Sequence, residues 1–173
     1  MASREGDLMR KLVLSFLLLC ALLVFGGTAV ADSGGGSPRV AKLTGAAEVP
    51  VADPDGSGTA VIRVNVGKKR VCWQLSVSGV AASTAAHIHK AAAGSNGPVV
   101  VTLSAPDAST GKASGCTSVT DKALLKGLIQ KPSEYYVNVH NAEFPGGALR
   151  GQLAKPGKSS DAPKPSKPVK PTK

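Results

Sequence analysis

Two stretches in which every second residue is apolar constrain the fold of this chain more than any other feature. Between residues 60 and 66, and again between residues 71 and 77, every second side chain is apolar. Successive side chains of a strand point to opposite faces, so this period predicts two strands that each bury one face. Gly67-Lys68-Lys69 lies between them and supplies a charged turn. The pattern predicts a β-hairpin.

Further short apolar runs follow at intervals that are typical of a β-sandwich. They span residues 40–43, 86–89, 99–103, 135–140 and 148–153. Thr120-Asp121 can cap a short helix over residues 122–130, where leucines favour one face. We therefore expect one all-β domain, an antiparallel Greek-key β-sandwich of the immunoglobulin or superoxide-dismutase type, with one short helix.

The first residues carry the pattern of a secretion signal. Basic residues precede an apolar run at 12–25, and Ala29-Val30-Ala31 gives the small-x-small cleavage pattern. The run is about 14 residues long, shorter than the roughly 20 that a spanning helix needs. We expect a signal peptide at 1–31, a flexible lead-in at 32–38, and no transmembrane anchor after cleavage. The protein is then secreted or associated with the cell envelope; an uncleaved signal anchor is the alternative.

Cleavage after residue 31 leaves two cysteines, Cys72 and Cys116. An even pair in an exported chain predicts a disulfide bond, and two separate buried thiols are the alternative. Closing a loop of about 45 residues stabilises a chain by roughly 4 kcal/mol in the chain-entropy treatment. Trp73 shares a face with the apolar residues of its strand, which predicts a core position. Cys72 then points the other way, so the bridge should lie outside the sheet or at its rim.

The last residues form a basic segment rich in lysine and proline. Residues 155–173 contain six lysines and one aspartate, half of the net charge of +10. Such a composition predicts a disordered tail. It can contact anionic envelope polymers through screened attraction, or act only as a spacer. Because the folded part carries no basic stripe, we expect no nucleic-acid partner.

All three histidines of the chain lie in two of the predicted strands. His87 and His89 are two positions apart and share a face, and His140 lies on a later strand. Three imidazoles that converge to about 2.0–2.1 Å from one point would bind copper or zinc. Glu143, the carboxylate nearest to His140 in sequence, could serve as a fourth ligand or orient a ligand, but a solvated turn residue is the favoured description. The alternative is that the histidines hydrogen-bond the loop at 94–97 and the turn at 144–147. Both interpretations stay open.

No other pattern indicates chemistry. The serines and acidic residues show no arrangement around a histidine that would make a nucleophilic triad. Asp53 and Asp55 share a turn that offers too few oxygen ligands for calcium. The glycines at 94–97 precede a strand, whereas a phosphate-binding loop precedes a helix. We therefore expect no enzyme activity.

Three segments, taken in order, resemble the CHRD domain, which is named from the extracellular growth-factor antagonist chordin and also occurs alone in exported microbial proteins. They are Leu43–Pro50, Ala85–His89 with the following Gly94–Val99, and Tyr136–His140 with the following Phe144–Leu153. The resemblance covers residues 39–154 and implies an extracellular all-β fold. It favours a non-enzymatic binding or structural module, whose partner is an unknown protein or an envelope ligand.

The same strands are similar, more weakly, to copper/zinc superoxide dismutases. His87, His89, His140 and Arg150 match a His-x-His strand, a later single histidine and an arginine in a glycine-rich closing segment. Dismutation at two metals needs a bridging histidine and further zinc ligands, and this chain has no other histidine. The second functional hypothesis is therefore a small exported metalloprotein that binds one copper or zinc through His87, His89 and His140.

Overall fold

The alternating segments form eight strands in one antiparallel sheet. The computed structural model describes residues 35–157; the predicted signal peptide and residues 158–173 of the predicted tail lie outside the described residues. The strands are β1 (Ser37–Thr44), β2 (Ser57–Asn65), β3 (Arg70–Ser78), β4 (Ser83–Lys90), β5 (Val99–Leu103), β6 (Lys112–Ser118), β7 (Tyr135–Asn141) and β8 (Leu149–Gln152). β1 therefore begins two residues inside the segment predicted as a lead-in.

The strand order gives the sheet the layout of a sandwich. Neighbours follow the order β5-β4-β7-β8-β1-β2-β3-β6, so the chain crosses between the two halves of the sheet more than once. β8 and β1 join the halves through the single pair Thr44 and Arg150, with a further bridge between Val40 and Ala154. The sheet can fold over at this thin junction. The expected all-β architecture with one short helix is confirmed.

The inward faces of both halves share one apolar core. Its fully buried members include residues from strands of each half, as their alternation predicts, together with two helix residues: Leu43, Ile62, Val64, Val71, Ile88, Leu125, Leu128, Val137, Val139 and Leu149. Burying a side chain of this size stabilises the fold by about 1.5–3 kcal/mol. Trp73 lies in this core, as predicted, and its indole Nε1 donates to Ser104 Oγ at 3.1 Å.

The predicted helix is present with the predicted ends. Helix α1 spans Lys122–Gln130, and the Asp121 carboxylate accepts from the backbone N–H groups of Ala123 and Leu124 at 2.8 and 3.0 Å. This satisfies two donors that a helix start leaves unpaired. At the other end, Arg39 Nε donates to Leu128 O at 3.2 Å. A cation at the carbonyl end of a helix is favourable, so both ends are stabilised.

Two short 3-10 helices, Gly45–Ala47 and Pro132–Glu134, complete the regular structure. Within residues 35–157, no helix combines the length and the apolar character that crossing a bilayer requires.

The sequence patterns missed one strand, β6, which brings the second cysteine to the first. β6 pairs with β3 in a register that sets Cys72 opposite Cys116, with their Cα atoms 4.0 Å apart. The disulfide between them confirms the predicted pairing, and its strand positions confirm that it faces away from Trp73. β6 was missed because Lys112–Ser118 contains no large apolar side chain to reveal its period.

Candidate metal centre

The three histidines lie on the outer face of two neighbouring strands. β4 and β7 are antiparallel, with Ala85 opposite His140 and His87 opposite Asn138. On each strand the residues between these positions are buried in the core, so the imidazoles project from the other side of the sheet. Pairing of β4 with β7 therefore supplies the convergence that the sequence alone left open.

The imidazoles converge closely. One nitrogen from each of His87, His89 and His140 lies within 4.8 Å of the other two, and His87 Nδ1 is 3.0 Å from His140 Nε2. Nitrogens that share a tetrahedral zinc at the usual bond length are about 3.3 Å apart. The pair formed by His87 and His140 is slightly closer than this, and the widest separation in the cluster is at most 4.8 Å. Binding of one ion by all three nitrogens therefore requires the imidazoles to rotate toward a common point.

Backbone carbonyls fix the orientation of two of the rings. His89 Nδ1 is 2.8 Å from Gly97 O, and His140 Nδ1 is 2.9 Å from Pro145 O. A carbonyl oxygen only accepts, so each Nδ1 carries the hydrogen and, in the neutral ring, each Nε2 keeps its lone pair. Metal-binding histidines are commonly oriented by such a bond from the other ring nitrogen.

The remaining nitrogens differ between the two rings. His89 Nε2 is buried and has no hydrogen-bond partner among the described residues. His140 Nε2, with its lone pair, accepts from His87 Nδ1. The alternative interpretation, in which the histidines hydrogen-bond the loop at 94–97 and the turn at 144–147, thus holds for His89 and His140. His87 instead bonds His140. In His89 and His140, Nδ1 therefore bonds the loop, while Nε2 on the other side of the ring keeps a lone pair.

Burial lowers the pKa of both His87 and His89 below the usual value of 6.5. For His87, proximity to His140 and His89 lowers the pKa further. For His89, the Gly97 carbonyl and the Asn138 amide raise the pKa in part, while His140 and Arg150 lower it. The net direction favours neutral rings at pH 7, and a metal binds only the neutral form.

A buried ion pair lies beside the histidines on the same outer face. Arg150 Nε is 3.1 Å from Glu48 Oε2, and both side chains are at most 3% exposed. The N–H does not point at that oxygen, so the contact is an ion pair without a hydrogen bond of good geometry. Asn138 Nδ2 donates to the other oxygen, Glu48 Oε1, at 3.0 Å. Glu48 therefore binds one side chain through each oxygen.

Tyr136 connects this ion pair to the histidines. Its ring is parallel to that of His89, with a 4° interplanar angle and centroids 4.8 Å apart. The Arg150 Cζ atom lies 3.9 Å from the centroid of the same ring, a cation–π contact. The backbone N–H of Gly97 donates to the Tyr136 hydroxyl at 3.3 Å. The stack limits the movement of the His89 ring.

Two segments of chain cover this polar layer. Arg150 Nη1 donates to Ser95 O at 3.1 Å, and its Nη2 contacts the Asn96 side chain. Asn96 Nδ2 in turn donates to Val49 O at 2.9 Å. Arg150 thus ties together the segment that carries Glu48 and the loop that carries the Gly97 carbonyl.

Gly147 closes the layer at the turn after β7. Its φ of +141° is a conformation that side chains rarely adopt, and an added Cβ would lie 2.4 Å from both Asn138 Nδ2 and Glu48 Oε1. This position requires glycine for space as well as for backbone conformation.

Sequence reasoning identified the three histidines but not all of their surroundings. Glu48 appeared only inside a motif, and its pairing with Arg150 across 102 positions had no local signal. Glu143, the carboxylate nearest to His140 in sequence, is exposed and lies outside the histidine cluster found within residues 35–157. Glu143 is thus a solvated turn residue in the structure, which is one of the two roles considered for it.

The polar layer and the histidines lie within a region that matches a known protein family. The family model described as "CHRD domain" matches residues 39–153, about two thirds of the chain. The chain belongs to the CHRD domain family. The matched CHRD region contains Glu48, Arg150 and all three histidines. CHRD domains are domains of extracellular type, and the disulfide bond is consistent with that. Neither the curated proteins nor the solved structures give a significant match.

Proposed function

We propose that this CHRD protein is an exported, non-enzymatic module that binds one copper or zinc ion through His87, His89 and His140. The observation that carries the proposal is the convergence of three imidazole nitrogens within 4.8 Å of one another. The described residues offer no second cluster of this kind. A single mononuclear site is therefore proposed, in agreement with the lack of residues for a two-metal dismutase.

The donor set suits these two metals. Imidazole nitrogen binds both zinc and copper, and copper binds more tightly to a given set of nitrogen ligands. The rings of His89 and His140 are already oriented by backbone carbonyls, so little ordering is needed on binding. The unpartnered, buried His89 Nε2 supports the proposal further, because a buried polar atom normally has a partner.

Metal analysis of protein prepared without an affinity tag tests the proposal. We expect one equivalent of zinc or copper after loading and desalting. His87→Ala and His140→Ala should each weaken binding by more than the roughly 10- to 100-fold typical of losing an outer-shell partner. Sub-stoichiometric metal that neither substitution changes would refute the metal site.

The second candidate function is a binding or structural module without metal, acting at the cell envelope or outside the cell. It is favoured by the contacts of His89 and His140 with the loops, since these hold the chain in place without an ion. In this case the histidine variants lose stability, and their metal affinities do not differ from that of the wild type. The unfolding free energies of the apo proteins, measured beside their metal affinities, separate the two functions.

The basic tail at residues 155–173 has a separate role in the proposal, which is contact with the cell envelope after export. We propose that the tail's lysines contact anionic envelope polymers or bring the domain to an unidentified protein or envelope ligand. Chains with and without residues 155–173 can be compared for retention on isolated envelopes. Salt-sensitive retention of the full chain alone is expected, and equal retention of both would rule out this role.

A further inference from the structure

We propose that Asn138 supplies a fourth ligand to the metal site, through its amide oxygen, and that this oxygen favours divalent ions over Cu(I). The inference rests on the proposed binding of metal by the three histidines. It adds a residue that no ligand-type pattern in the sequence indicates, because an asparagine is seldom counted among zinc or copper ligands.

The amide oxygen of Asn138 is buried without a partner. The side chain is 1% exposed, and neither Asn138 Oδ1 nor His89 Nε2 has a hydrogen-bond partner among the described residues. Asn138 also lies directly opposite His87 in the β4 and β7 register, on the face that carries the imidazoles. Two buried acceptors are thus left unsatisfied on the same part of the sheet.

The two atoms belong to neighbouring positions on one face of the sheet. Asn138 on β7 is opposite His87 on β4, and His89 lies two residues further along β4 on the same face. The neutral His89 ring has one N–H, and Gly97 O accepts it. His89 Nε2 and Asn138 Oδ1 are then both acceptors with no donor between them. A cation satisfies both atoms at once.

Glu48 determines which way the amide points. The Glu48 carboxylate can only accept, so the atom of Asn138 that lies 3.0 Å from it must be the nitrogen. The oxygen is therefore the atom left for the metal. The carboxylate also polarises the amide, which increases the negative charge on its oxygen and improves it as a ligand.

Arg150 and Gly147 hold this orientation. Arg150 balances the charge of Glu48 and is itself bonded to the covering loop. Gly147 has no Cβ and leaves room for the contact between Asn138 and Glu48. The ion pair thus acts as a support for the ligand, which gives a buried charge pair of this kind a role beyond stability.

An amide oxygen as the fourth ligand should make the site selective for divalent ions over Cu(I). Three imidazoles and one amide oxygen complete a four-coordinate site for zinc, and carbonyl oxygen suits harder ions. Cu(I) prefers soft ligands and gains little from an oxygen. Loss of the amide oxygen should therefore weaken binding of Zn(II) and Cu(II) far more than binding of Cu(I).

The test compares untagged wild-type protein with Asn138→Leu, which keeps the size of the side chain but has no oxygen. Zn(II) and Cu(I) affinities are measured by competition with chelators. We expect zinc binding to weaken by about 10- to 100-fold and Cu(I) binding to change by less than about threefold. Gln152→Leu is the matched control, since this amide lies on β8 and donates to Ala91 O and Ser133 O. Its zinc affinity should equal that of the wild type.

Wild-type zinc affinity that Asn138→Leu leaves unchanged would overturn the inference while the histidine site stands. Absence of metal binding by the wild type would instead overturn the proposed function itself. If Asn138→Leu does not fold, carbon NMR of the wild type decides. The Asn138 side-chain carbonyl should shift by far more on zinc addition than that of Asn141, a buried asparagine on the same strand. Equal, small shifts of both would contradict ligation by Asn138.

Discussion

The outer faces of the two halves of the sandwich are stabilised in different ways. On the β3 and β6 half, a covalent disulfide joins neighbouring strands at an edge of the sheet. On the β4, β7 and β8 half, a layer of polar side chains is buried under two segments of chain and is held by hydrogen bonds, one ion pair and ring contacts of Tyr136. The outer face of the first half thus carries a stabilising cross-link, whereas the outer face of the second half carries acceptor atoms that have no hydrogen-bond partner.

This difference indicates why the polar layer needs so many contacts. A buried polar group without a partner costs about 1–3 kcal/mol, and a buried charge costs more. Glu48, Arg150 and Asn138 offset that cost for one another, while His89 Nε2 and Asn138 Oδ1 remain unsatisfied. Substitutions in the two halves should therefore differ in their effects on stability and on zinc affinity.

Removing one charge of the buried pair should have the largest effect. Arg150→Met leaves the Glu48 carboxylate buried without its cation, which typically costs about 3–5 kcal/mol. Urea unfolding of the apo protein measures the loss. The double variant Glu48→Gln/Arg150→Met is the control and should recover much of the stability. A double variant as unstable as the single one would contradict an electrostatic origin.

Removing the disulfide should reduce stability but leave the metal site intact. Cys72→Ala/Cys116→Ala should lower the unfolding free energy by about 2–4 kcal/mol. Because the bridge lies in the other half of the sandwich, zinc affinity should not change. An affinity loss above about threefold in the folded variant would show that the two halves are coupled.

Filling the space at the turn after β7 should disturb the polar layer selectively. Gly147→Ala adds a methyl group 2.4 Å from Asn138 Nδ2 at a backbone conformation that disfavours alanine, with an expected cost of roughly 1–3 kcal/mol. Gly146→Ala is matched to it, since nothing lies within 4 Å of a Cβ there. Thermal unfolding should separate the two variants, and zinc affinity should fall only in the first. Identical behaviour of both would argue against close packing at Gly147.

Removing the helix cap should have the smallest effect and serve as a reference for both halves. Asp121→Ala deletes the acceptor for two backbone N–H groups and should cost about 1 kcal/mol. Neither zinc affinity nor the ease of reducing the disulfide should change. A clear change in either one would mean that the stability of the whole domain, rather than local structure, controls that property.

The predictability of the fold from sequence also differs between elements. The hairpin of β2 and β3 and the helix were evident because large apolar side chains mark their periods and Asp121 marks the helix start. β6 was not evident, because Lys112–Ser118 is small and polar and takes its strand conformation from pairing with β3. Its disulfide was nevertheless predictable from counting cysteines.

The site was predictable in its ligands but not in its surroundings. His87 and His89 share a face by local geometry, whereas the approach of His140 depends on the pairing of β4 with β7. The contact of Glu48 with Arg150 and Asn138 spans most of the domain and follows no local period. Long-range polar contacts of this kind arise from topology, which a single sequence does not reveal.

The most direct test of the central claim is X-ray absorption spectroscopy of the untagged protein loaded with one equivalent of zinc. We expect three imidazole nitrogens at about 2.0–2.1 Å with one further light ligand. His140→Ala should lose one imidazole from the spectrum. A zinc ion surrounded by water or carboxylate oxygen, or a spectrum that His140→Ala does not alter, would contradict binding by the three histidines.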